Sequence, residues 1–114
     1  MALRYILFHL AIGGQMTEPG RQVTELVAGM RHWCDAYETD GLALDRLSWE
    51  LKSRIAALRQ VANEEWVDEL KAIWNELEVV NAFYIESGRA TLNSSELQEI
   101  REILKELRTA LLGC

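Results

Sequence analysis

Trp66, Leu70, Ile73, Leu77, Val80 and Tyr84 recur at alternating steps of four and three. Only an α-helix gathers that spacing onto one side. The stretch that contains them, NEEWVDELKAIWNELEVVNAFYIESG, is also lopsided in charge. Residues 63–86 hold seven acids and one base, Lys71, a balance of -6. A helix whose apolar side is a heptad-like seam must meet other helices, and a helix so acidic elsewhere needs a second explanation.

Three further segments share the period. In EPGRQVTELVAGMRHWCDAYE the stripe is Val23, Val27, Met30, Cys34 and Tyr37, widened by Leu26 and Trp33. In LALDRLSWELKSRIAALRQVA it is Leu44, Leu47, Leu51, Ile55 and Leu58, and in NSSELQEIREILKELRTALLG it is Leu97, Ile100, Leu104, Leu107 and Leu111. Asp40-Gly41 and Ser87-Gly88 punctuate the segments, with the reversal around Ser87–Thr91 expected to be the sharpest. Asn63 offers an N-cap ahead of Glu64 and Glu65; Asn93 with Glu96, or Ser95 with Gln98, has capping-box spacing. No stretch alternates with the strand period and no repeat links the segments. The expectation is an all-α antiparallel four-helix bundle over residues 16–114.

Residues 1–15, MALRYILFHLAIGGQ, stand apart as an N-terminal extension of uncertain role, outside the domain or resting on it as a short helix or strand. Arg4 and His9 break the apolar run and no clear cleavage site follows, which argues against an export signal; the run is also too short to span a bilayer. At 114 residues, 49% apolar, the chain has length for a single modest core. Its net charge of -6 disfavours nucleic acid as a partner. Cys34 falls on a helix stripe and Cys114 is the last residue, so free thiols in a reducing cytoplasm are expected.

Chemistry-bearing patterns are sparse. His32 and Cys34 are two apart, so on a helix they point to different sides and cannot readily share a metal. No Glu is followed three residues later by His, as a di-metal bundle site requires. HExxH, CxxC, G-x-S-x-G and phosphate-binding glycine loops are absent from the sequence. The reading is of a chain with no catalytic residues, cofactor or metal, and not an enzyme.

What remains is surface. At ~100° per residue, Glu65, Asp68, Glu69 and Glu76 fall away from the seam of the third helix, and Val79 and Phe83 project toward the same acidic side. Apolar residues ringed by carboxylates have the composition of an interface. Trp49 lies almost opposite the apolar face of the second helix; cover by the protein's own chain is the favoured expectation, a partner the alternative. Residues 46–60 carry a balance of +3, so packing beside the third helix would neutralise part of its charge.

DGLALDRLSWEL, then WVDELKAIWNELE, then ELQEIREILKEL resemble the small helical immunity proteins of bacterial toxin competition systems, the colicin-like group, over roughly residues 21–112. The MALRYILF leader fits nothing in that group. The resemblance implies a single-domain antagonist that masks a nuclease-type toxin, often by opposing an acidic surface to a basic active site. On that basis Glu65, Glu69 and Glu76 carry the role, with Asp68, Val79, Phe83 and Trp49 completing the expected partner-binding set. The expected partner is a basic protein, with neither nucleic acid nor membrane involved. The alternative is a self-associating structural or adaptor bundle, a homodimer through its exposed apolar residues.

Overall fold

The computed structural model describes residues 18–113; the leader and Cys114 lie outside the described residues. Four helices follow one another: α1 (Glu18–Asp40), α2 (Leu44–Leu58), α3 (Glu64–Ser87) and α4 (Ser94–Leu111). Among the described residues there is no strand. Each helix packs against the next, α1 closes more thinly on α4, and the diagonal pairs stay apart at the backbone. The result is the helical bundle that the periodicity required.

Local chemistry sets the boundaries. The Asn63 side chain accepts a hydrogen bond from Trp66 N at 3.0 Å, capping α3, with Glu64 and Glu65 in the first turn. Gly88 ends the helix at φ 70, the left-handed conformation that favours glycine. Of the two capping boxes open to the sequence, Asn93 with Glu96 is the one formed: Asn93 Oδ1 accepts from Glu96 N at 2.7 Å, and Glu96 Oε1 accepts from Asn93 N at 2.9 Å. Arg89 clamps the same carboxylate at 2.6 and 2.9 Å. That guanidinium and the Asn93 N–H hold the Glu96 carboxyl down to about 2.

Met30 and Cys34 of α1, Leu47, Leu51 and Leu58 of α2, Val67, Leu70 and Leu77 of α3, and Ile100, Leu104, Leu107 and Leu111 of α4 are fully buried. Burying each such side chain contributes ~1.5–3 kcal/mol. Two tryptophans stitch helices together by their polar edges. Trp66 Nε1 donates to Ala110 O at 2.8 Å, tying α3 to the end of α4. Trp74 Nε1 donates to Ser48 O at 2.9 Å, and Ser48 Oγ donates to Glu78 at 2.5 Å, tying α2 to α3.

The α1–α2 seam buries a charge. Glu50 is 6% exposed, yet both its oxygens are engaged, by Arg46 at 2.8 Å and Arg54 at 2.5 Å. These hydrogen bonds, Arg46 foremost, keep its carboxyl below the usual range. The same guanidinium groups stand 5.2 and 5.6 Å from the Trp33 ring, so cation–π attraction joins α1 to the pair. Gly29 makes room: a Cβ there would meet Arg54 Nε at 2.7 Å, which accounts for glycine in mid-helix despite its cost. On the closing side, Arg108 of α4 reaches Asp35 at 2.6 Å and Glu38 at 2.8 Å, so the C-terminal parts of α1 and α4 meet.

One sequence expectation fails here and another fails in part. Leu97, counted into the α4 seam, is 43% exposed. It precedes the stretch from Ile100 to Leu111 that supplies the buried face of α4, and α1 closes only thinly on that helix. Trp49, expected to be covered by the leader or by another helix, is 61% exposed, so none of the four helices covers it; the leader lies outside the described residues.

Candidate functional site

Glu69, Glu76 and Phe83 are seven residues apart, so they rise in one column along α3. The column faces α4. Glu69 and Glu76 line an open groove of about 660 Å³ whose other wall is Glu99, Glu102 and Glu106 of α4, with Ile103 and Ala110 also lining it and Lys105 the single base. The packing of α3 on α4 that buries Leu70, Leu77, Ile100 and Leu107 thus also brings two rows of carboxylates together.

Among the described residues, none of Glu65, Glu69, Glu76, Glu99 and Glu106 has a cation within ion-pair distance. The consequence shows at Glu76, whose carboxyl is raised above its ordinary value. Partial loss of hydration in the groove is the leading cause, followed by Glu106, which both repels it and shares a hydrogen bond with it, and then by Glu99. The groove is therefore a region of negative potential, in which Lys105 is the single base and pairs with none of these carboxylates among the described residues.

The other expected residues divide. Glu65 is exposed and keeps the phase of the column; Val79 and Phe83, 54% and 66% exposed, continue its apolar end. Asp68 is exposed but already paired, with Arg59 Nη2 at 3.0 Å. Arg59 thus offsets one α3 carboxylate, whereas Ser48 donates a hydrogen bond to Glu78 without offsetting its charge. Trp49 belongs elsewhere. It follows Ser48, which bonds to Trp74 on the α2-facing side of α3, so the structure does not bring it together with the Glu69–Phe83 column.

Sequence reasoning missed Glu99, Glu102 and Glu106, because the charge of the fourth segment nearly cancels in total. Their common phase was a usable signal, but which flank of α4 meets α3 is known only once the helices pack. Asn81 was also missed. It is buried in α3, and its Oδ1 has no hydrogen-bond partner among the described residues.

His32 is exposed and Cys34 is buried and free. Burial pushes the Cys34 thiol up to about 12, which leaves it unreactive. Among the described residues no group of three or more His, Cys, Asp or Glu is placed to hold a metal ion, and no helix is long and apolar enough to cross a membrane. No family model, curated protein or solved structure matches the chain.

Proposed function

We propose that this chain is a non-enzymatic binding protein that masks the basic surface of a protein effector, with the α3–α4 flank as its docking face. The observation that carries this reading is the run of uncompensated carboxylates, Glu69, Glu76, Glu99 and Glu106, continued by exposed Val79 and Phe83. A face meant only for water would mix its signs, because like charges in close register oppose the helix that carries them. A basic partner would remove that repulsion on binding.

In this mechanism the carboxylates draw a cationic surface in and set its orientation, which raises the association rate more than the final affinity. Phe83 and Val79 supply the desolvated contact that slows dissociation. Inhibition is steric: once the bundle is seated, the effector's basic site is covered. A nuclease-type toxin is the effector class suggested by the likeness to immunity proteins, and action in the cytoplasm belongs to the same reading. Its test is Glu69→Lys with Glu76→Lys, checked for unchanged helicity by circular dichroism. Capture of the natural partner at physiological salt should fall by at least about tenfold; undiminished capture removes the acidic-face model.

A further inference from the structure

Helix α3 carries two rows at steps of four and three. The first, Trp66, Leu70, Ile73, Leu77 and Val80, is buried in the bundle. The second is offset by one residue: Glu65, Glu69, Ala72, Glu76, Val79 and Phe83, every one exposed. Any helix has such an offset row; the composition sets this one apart. Acids stand toward one end, an alanine among them, and two large apolar side chains at the other.

Across the groove, α4 answers with Glu99 and Glu106, seven residues apart, and the lining between the walls includes Ile103 and Ala110, also seven apart. Seven residues are about two turns, so carboxylates recur every ~10.5 Å along both walls over an apolar floor. Glu76 and Glu106 share a hydrogen bond across the groove, so the walls stand close enough for one guest cation to touch both.

We infer that the groove receives one basic, amphipathic α-helix of a partner protein, laid along α3 and α4. The inference rests on the effector-masking reading and specifies which part of the effector is held. Lysines or arginines at steps of three and four on the guest reach Glu69 and Glu76 on one wall, and Glu99 and Glu106 on the other. Between these cations a stripe of small residues lies over Ala72, Ile103 and Ala110. A large apolar side chain toward one end packs on Val79 and Phe83. From Glu69 to Phe83 the groove runs ~21 Å, the length of about four helical turns.

An extended segment fits less well. Both walls are helices whose backbone groups are bonded internally, so they offer no edge for a strand, whereas a helix brings its own backbone bonds. A second copy of the exposed row fits no better. Paired in parallel, it sets acid on acid; paired antiparallel, it presses acids onto Val79 and Phe83 with no cation. The basic helix of this chain, α2, already commits Arg46, Arg54 and Arg59 to its own acids. None of the four helices is free to be the guest, since each buries its apolar side in the bundle.

The test titrates the full chain with a designed peptide of about 18 residues, carrying lysines at steps of three and four on both flanks of an alanine stripe and leucines at one end. One control peptide scrambles the order so that lysines ring the helix; the other has a proline at its centre. At physiological salt the patterned peptide should bind at least about tenfold more tightly than either control, and its helicity should rise on binding. Amide shift changes should fall on residues 69–83 and 99–110. Glu76→Lys with Glu106→Lys should abolish the preference, and Phe83→Ala should reduce it, with circular dichroism confirming that both variants stay folded. Equal binding of the three peptides, binding without a gain in helicity, shifts centred around Trp49, or no binding of any peptide would each overturn the inference. The effector reading falls on a different result, undiminished capture of the natural partner by the Glu69→Lys, Glu76→Lys protein.

Discussion

Between α1 and α2 one glutamate is buried against two arginines, while between α3 and α4 several glutamates face one another across open solvent. Glu50 is held by Arg46 and Arg54, with Trp33 beside both guanidinium groups. Glu76 has Glu106 and Glu99 for neighbours. The two carboxyls are accordingly driven in opposite directions, Glu50 down and Glu76 up. The contrast teaches where this fold satisfies its own charge and where it leaves charge unpaired. A buried carboxylate must be paired to be tolerated at all; an exposed row can stay unpaired at small cost.

The largest expected effect separates the two regions by stability. Trp33→Ala removes the half-buried ring between α1 and the arginines and should destabilise the fold by about 2 kcal/mol. Phe83→Ala on the open flank should stay within about 0.5 kcal/mol. Chemical denaturation of the two variants compares them directly, and equal losses would erase the distinction between a packed and an open seam.

Next comes Glu50→Gln, which should lower the melting temperature at neutral pH. Because the folded carboxyl titrates below its unfolded value, its contribution is complete above the unfolded carboxyl range and is lost as pH falls through the folded value. The variant should therefore lose stability less steeply on acidification than the native chain. A melting-temperature profile from neutral to acid pH reads this.

The smallest effect has the reverse sign. Glu76 binds its proton more tightly folded than unfolded, so the fold loses stability as pH rises from the unfolded carboxyl range through the folded value. Glu76→Gln should stabilise the protein at neutral pH by a few tenths of a kcal/mol, roughly, and added salt should shrink the gain. A loss instead would mean that the groove tolerates its carboxylates without strain.

Much of the fold was legible because single residues announce helix ends and periods. The Asn63 and Asn93 caps, the Gly88 stop and the buried seams from Val27 to Leu111 all lie where spacing placed them. Leu97 shows the limit: period places a residue on a face, but only packing decides how far along the helix that face is covered. Glu50 shows another. Counted as one charge against four bases, it was invisible as a buried hub, although Arg46, Glu50 and Arg54 stand at successive i,i+4 positions, a pattern that makes such a clamp geometrically easy. The acidic column on α3 was readable from one helix alone. Its opposite wall on α4 was not, since two helices share a groove only through their relative rotation.

The indole bond from Trp66 to Ala110 O has a dynamic corollary. Carbonyls in the final turn of a helix lack donors from the chain beyond, and ordinarily that turn frays on its own. Here Ala110 O is held twice, by Gly113 N at 3.0 Å and by a side chain rooted in the first turn of another helix. Amide exchange at the end of α4 should then be slow, and opening there should occur together with the start of α3 as one cooperative unit.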